Sequence, residues 1–350
     1  MTQAQTIVPN STGGVAHGPL SGPLKEMVIA AFAGGASAIK LVEQRITSRL
    51  SSDAELLRTI PQYLMEQGGK RIRPLLAVMS YRLLTQNDLS TDIVDVAAGI
   101  ELIHMATLLH DDIIDQSPTR RHQASAFRQF GLTPSLLAGD FLLVRAFGLC
   151  AHLDPFIVRA TENACVELTE GEILEGTLSS LTPRTFEDYL TIIGKKTASL
   201  FALACESGAF LADVSPEEVH KMRQFGYAAG IAFQMVDDIL DITANEDLLG
   251  KPAGTDLKQK TPSLINILWL ESGDSQALDF FAKDQITAEE SRDAVRYLIN
   301  SPIVKEAQRY AQQWADRATS ALNSLDTPYV DSGIKTQLTA IVEYTLNRCL

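Results

Sequence analysis

Basic residues are in short supply: 30 Lys and Arg stand against 43 Asp and Glu, giving a net charge of −13 and a pI of about 4.9. Such a chain has no broad cationic face for nucleic acid or an anionic membrane, so each local basic run needs a reason of its own. Cysteine is scarce too. Cys150, Cys165, Cys205 and Cys349 are scattered without a CxxC pair, which excludes a disulfide framework and reads as reduced thiols in a cytoplasmic protein. No apolar run is read as reaching the roughly 18 residues that span a bilayer, so no stable membrane insertion is expected. Residues 1–24 lack a charged n-region, a long apolar stretch and arginine. That argues against a secretory or organelle leader and leaves a Gly-, Ser-, Thr- and Pro-rich flexible tail.

Alternating strand segments are missing as well, and the apolar period is helical almost throughout. Helices are expected near 25–50, 53–66, 71–86, 91–115, 134–151, 155–177, 186–211, 216–242, 261–270, 288–300, 302–323 and 331–348, with loops near 116–131, 178–184, 243–260 and 271–286. Their starts are marked by Ser52-x-x-Glu55, Ser215-Pro216-Glu217-Glu218 and Thr287-x-x-Glu290, and by cap-then-proline pairs such as Ser301-Pro302. None of the loops reads as a linker. The expected fold is all-α, a single-domain bundle of roughly ten or more helices over 25–350 around a deep central cavity, the cavity being what the resemblance below implies.

One pattern occurs twice. Asp111-Asp112-Ile113-Ile114-Asp115 and Asp237-Asp238-Ile239-Leu240-Asp241 each close a long apolar helical run, and no surrounding repeat accompanies them. Asp111 and Asp115 lie four residues apart and share a helix face, as do Asp237 and Asp241. Like charges at that spacing destabilise a helix, and the macrodipole disfavours them at a carboxyl end. Hard cations remove both penalties, and carboxylate oxygens without Cys or paired His favour magnesium. A solvated acidic helix end explains either cluster alone; it explains both far less well.

Basic residues follow each cluster: Thr119-Arg120-Arg121 after the first, and Gly250-Lys251 to Lys258-Gln259-Lys260 after the second. Arginine forks and lysine charges suit phosphate oxygens, although each run alone also reads as a surface salt-bridge patch. Upstream, Gly68-Gly69-Lys70-Arg71-Ile72-Arg73-Pro74 sets glycines before a helix start, an anion-binding arrangement without Walker A spacing.

Taken together, GGKRIRP, HDDIIDQSPTRR, GKKTASLF, FQMVDDILD and GKPAGTDLKQKTP, in that order from Gly68 onward, resemble the trans-isoprenyl diphosphate synthases, the polyprenyl synthetases. The resemblance implies an allylic diphosphate held through Mg2+, three ions per site with Mn2+ as a substitute, on Asp111, Asp115 and Asp237. Asp112, Asp238 and Asp241 complete the metal set, and Arg120, Lys196 and Lys251 neutralise the diphosphate while Lys260 helps close the site. Isopentenyl diphosphate, bound without metal, takes Lys70, Arg73, His104 and Arg121; from the residues alone His104 is a core histidine. Thr197 and Gln234 supply the dipoles that face the allylic cation.

By the same resemblance, short-chain members carry aromatics five and four residues before the first aspartate. Here those positions are Ala106 and Thr107, so that floor is missing and products longer than farnesyl are expected, geranylgeranyl included, with Ile103 and Ile100, one and two turns deeper, as a candidate lower floor. The chain departs from the family at His122, where glycine usually follows the arginine pair. Isopentenyl and allylic diphosphates are the implied substrates, and a homodimer the implied assembly. A non-catalytic partner subunit would have lost aspartates or the Lys-Arg set, and a class I terpene cyclase would lack GGKRIRP and space its second metal motif more widely.

Overall fold

The structure, a computed structural model, describes residues 23–121, 123–179, 185–244 and 253–348. The helical period becomes α1 (Pro23–Arg49), α2 (Glu55–Glu66), α3 (Ile72–Leu84), α4 (Thr91–Ile114), α5 (Ala126–Phe130), α6 (Leu132–Cys150), α7 (Pro155–Ser179), α8 (Phe186–Ile193), α9 (Ser199–Leu211) and α10 (Pro216–Thr243). Then follow α11 (Thr255–Gln259), α12 (Leu264–Glu271), α13 (Ser275–Phe281), α14 (Ala288–Leu298), α15 (Pro302–Asn323) and α16 (Ser332–Leu346). Pro23 and Leu24 already belong to α1, so only 1–22 of the expected tail remain, and they lie outside the described residues.

Short polar side chains fix the starts by accepting from the first orphan N–H groups. Thr287 and Glu290 close the expected capping box of α14. Ser215 caps α10, but the Glu218 carboxylate turns to Lys221 and the Asp326 N–H instead of back to the cap. The Ser52 box does not form: α2 starts after Ala54, whose N–H donates to the Ser52 hydroxyl. An unforeseen box joins Thr185 to Asp188 at α8. The stretches read as loops hold the short helices α5, α11 and α13, too brief to show a period, and a two-residue antiparallel ladder that pairs Thr119 with Ala124 and Arg120 with Gln123.

Helix α9 is buried all round from Ser199 to Ala209, which marks it as the axis of the bundle. It packs against α3, α4, α7 and α10, while α10 is flanked on another side by α15 and α16. Between α8 and α9 the chain takes one π-helical turn, Gly194–Ala198, where a single continuous helix was expected. Such a turn carries an extra residue and re-aims the side chains on it.

Helices α4 and α6 prove long and apolar enough, by length and composition, to cross a bilayer, contrary to the expectation from run length. In α4, 72% of the apolar window is buried inside the protein, as a core helix requires; in α6 only 33% is. The remainder of α6 and its neighbour α7 exposes Leu132, Leu136, Leu137, Val144, Phe147, Val166 and Ile173.

Candidate active site

The first aspartate cluster sits where α4 ends. Asp111 lies in the last turn of the helix, and Asp115 is its cap, its N–H bonded to the Asp111 carbonyl at 2.8 Å. Asp112 points the other way. It is buried at 2% exposure and forked by Arg120, with Nε 2.9 and 3.0 Å from its two oxygens and Nη2 at 2.8 Å. The carboxylate, expected in the metal set, thereby also anchors Arg120 beside the cluster.

Two residues that the sequence reading missed face the first cluster from α7, Glu172 toward Asp111 and Glu175 toward Asp115. Glu172 is 2.7 Å from the Lys196 ammonium, and Glu175 also pairs with it. Burial, with the Glu172 charge added, pushes the Asp111 carboxyl up to about 7. Burial would lower the Lys196 ammonium, but Glu175 and Glu172 outweigh it and hold it above its ordinary value. Glu172-x-x-Glu175 is a one-turn spacing, which could have flagged both; alone it reads as a solvated face. Gly171 lets the π turn approach, since a Cβ there would lie 2.8 Å from Lys196 Cγ and 3.0 Å from its backbone N.

In the second cluster the three aspartates part company. Asp237 is 38% exposed and bonded at 3.0 Å by Arg348, from just beyond α16, another residue without a sequence signal. Asp238 is buried and accepts from Tyr189 Oη–H at 2.8 Å, the Leu264 N–H at 2.9 Å and Gln234 Nε2–H at 2.9 Å. Burial raises its carboxyl to about 6, against the pull of those donors. Asp241 accepts the Asp256 N–H at 3.1 Å. Both were expected among the metal ligands; hydrogen-bond donors of the fold reach Asp238 from α8, α10 and α12 and Asp241 from α11. Gln234 in turn accepts the Thr197 hydroxyl at 2.8 Å.

The cationic half forms around the turn before α3. Gly68 has φ +82 and Gly69 +150, conformations that only glycine adopts without strain. The backbone at Gly69 lies against Arg71 and Arg121, whose nitrogens would be 3.2 Å from a Cβ there. Arg71, itself left-handed at φ 49, reaches Glu101 at 2.8 Å and Glu43 at 3.2 Å. Glu101 is 3% exposed, one helical turn below His104, and was not foreseen. Arg73 stacks 5.0 Å above the Phe201 ring, and Lys70 lies 3.2 Å from the Tyr344 hydroxyl. Burial, helped by Arg348, lowers the Lys70 ammonium to about 8. His104 is held well below its usual range by burial and by Arg73, Arg120, Arg121 and Arg71, so at neutral pH it is uncharged.

Lys260 bonds the carbonyls of Phe281, the last residue of α13, and of Lys283 just beyond it. Lys251 and His122 lie outside the described residues. Ala106 and Ile103 are both 0% exposed. Their stripe on α4 runs from Gly99, against Cys150 of α6, to His110, which bonds the Leu136 carbonyl at 3.2 Å. They therefore face α6, while Thr107, four residues before Asp111, keeps partial exposure on the cleft side.

Among the described residues no three His, Cys, Asp or Glu side chains form a ready cation cage. The donor set nevertheless fits a hard divalent cation: Asp111, Asp115 and Asp237 offer only oxygen, and a carboxyl lifted to about 7 by burial and a neighbouring charge is relieved by a cation. An anion bearing its own oxygens completes such a site.

The polyprenyl synthetase family model matches residues 54–300. The octaprenyl diphosphate synthase of Escherichia coli is 34% identical over 293 residues, covering 82% of this chain and 90% of that protein. The geranylgeranyl diphosphate synthase of Methanosarcina mazei is 33% identical over 300 residues, covering 84% and 90%. A crystal structure of polyprenyl synthase from Caulobacter crescentus, complexed with calcium and isoprenyl diphosphate, superposes with a TM-score of 0.84 at 32% identity, covering 94% of this chain and 99% of that one.

Proposed function

The chain belongs to the polyprenyl synthetase family, and from that membership and the cleft we propose that it is a trans-prenyltransferase joining isopentenyl diphosphate to an allylic diphosphate to give products longer than farnesyl. The observation that carries this reading is the division of the cleft. Acidic Asp111, Asp115 and Asp237 form one half and Lys70, Arg73, Arg121 and neutral His104 the other; the Arg73 guanidinium senses Asp111 and Asp237 as well as Glu101. Two diphosphates are thereby told apart, one needing a cation and one taken by protein charge alone.

Magnesium, bound by Asp111, Asp115 and Asp237 together with diphosphate oxygens, would neutralise the leaving group and so favour ionisation of the allylic carbon. Membership of the family and the calcium of the Caulobacter structure support a divalent cation; three ions per site is our reading. Lys196 is positioned beside the same diphosphate. Thr197 and Gln234 present oxygen to the cation, and the apolar bundle keeps out water that would quench it. The isopentenyl double bond then attacks, and a proton leaves to pyrophosphate.

The apolar face of α6 and α7 supports a homodimer, and the unpaired, buried Cys150 and Cys205 suit a reducing cytoplasm. Incubation with isopentenyl and farnesyl diphosphates tests the reading. Isopentenyl diphosphate should be consumed with magnesium and not with chelator. No consumption would reject it in favour of a partner subunit, and a cyclic hydrocarbon would favour a cyclase.

A further inference from the structure

Among the polar groups at the cleft wall, one chain of hydrogen bonds has a single possible direction. Asp238, as a carboxylate, can only accept. Its Oδ2 is fixed by Tyr189 Oη–H at 2.8 Å and the Leu264 N–H at 2.9 Å, which leaves Oδ1 to face Gln234 at 2.9 Å. The Gln234 amide must therefore turn its nitrogen to Asp238 and its oxygen to Thr197. The Thr197 hydroxyl spends its one proton on that oxygen, at 2.8 Å. Toward the cleft Thr197 is left with lone pairs only.

We infer that Tyr189 and Asp238 are positioning residues: through Gln234 they set the polarity of Thr197, so that an electron-rich oxygen meets the developing allylic cation. The burial pattern supports this division. Tyr189, at 0% exposure, is out of reach of substrate, and Asp238 spends its oxygens on Tyr189, Leu264 and Gln234, whereas Gln234 is partly exposed. The π turn Gly194–Ala198 supplies the aim, because it re-registers the chain between Tyr189 on α8 and Thr197. With the opposite amide orientation Gln234 would donate to Thr197, and the hydroxyl proton would point at the cation. An oriented dipole acts without reorganising at the moment of reaction, which is why its direction matters more than its mere presence.

The inference rests on the cleft being a prenyl-transfer site, and a double-mutant cycle separates the two claims. Single-turnover condensation of farnesyl and isopentenyl diphosphates is measured for the wild type, Tyr189→Phe, Thr197→Val and the double variant. Tyr189→Phe removes one hydroxyl and should slow the reaction roughly tenfold, the worth of a hydrogen bond to a charged group, with both KM values unchanged and any fall in the melting midpoint the same in both backgrounds. In the Thr197→Val background the same change should cost less than about twofold, since residues that act as a unit are not additive. An equal cost in both backgrounds would overturn the inference, as would a loss confined to KM or to thermal stability. If Thr197→Val falls below detection, Tyr189→Phe decides alone by the same split between rate, KM and melting. A wild type that consumes no isopentenyl diphosphate would instead defeat the prenyl-transfer reading itself.

Discussion

At the scale of single residues, charge placement decides what each side chain does. Asp111 and Asp112 are neighbours, yet one is lifted to about 7 while the other is locked by Arg120. Because burial and the Glu172 charge raise the Asp111 pKa, the metal-free folded state holds a proton there more tightly than the unfolded chain does. Metal-free stability therefore falls as pH rises from about 4 to about 7. Asp111→Asn should stabilise the metal-free protein at pH 8 by about 1–3 kcal/mol, with the gain vanishing toward pH 4. Thermal melts at the two pH values check this; an equal gain at both would show that the charge is not the cause. Glu101→Gln leaves Arg71 without its buried partner and should cost about 3 kcal/mol of stability. It should also raise KM for isopentenyl diphosphate several-fold while leaving that for the allylic substrate alone, as initial-rate kinetics would show.

The aspartate repeats, the arginine pair and Lys196-Thr197 were legible because their residue types sit together in the chain. Glu101, Glu172, Glu175, Tyr189 and Arg348 were not, because they come from separate stretches of the chain (α4, α7, α8 and the residues after α16) and gain their meaning only from the element they face.

Among elements, helix ends and seams carry the function. Long helices were readable to within a few residues since their period repeats over many turns; α5, α11 and α13 were lost because one or two turns show no period. The π turn was invisible for a related reason: an inserted residue shifts the phase without changing composition. Gly171 admits that turn to α7, so Gly171→Ala should push Lys196 back. A drop of about tenfold or more in kcat and a fall in melting temperature are expected, and a silent substitution would show that the turn can shift at no cost. The seam between α4 and α6 bears on product length. Thr107→Phe on the open cleft side should shorten products, whereas Ala106→Phe, in packed core, should first destabilise by about 1–3 kcal/mol. Product chromatography and melts of both variants distinguish the positions; shortening by Ala106→Phe alone would mean the chain grows into the α4–α6 seam.

For the whole molecule, a net charge of −13 coexists with a basic pocket because the cations are gathered at one place, against the turn before α3. The same overall charge was uninformative about the apolar stripe on α6 and α7. That stripe gives the proposed homodimer its test. Val144, 67% exposed, becomes unfavourable in an interface when charged, so Val144→Glu should halve the mass seen by light scattering. An unchanged mass would place the interface elsewhere or remove it.

The central claim is repeated addition of isopentenyl units onto an allylic primer, past the farnesyl stage. Mass spectrometry of the dephosphorylated products formed from farnesyl and isopentenyl diphosphates with magnesium tests it most directly. A linear all-trans alcohol longer than farnesol by one or more five-carbon units is predicted; unextended farnesol as the sole product would contradict it.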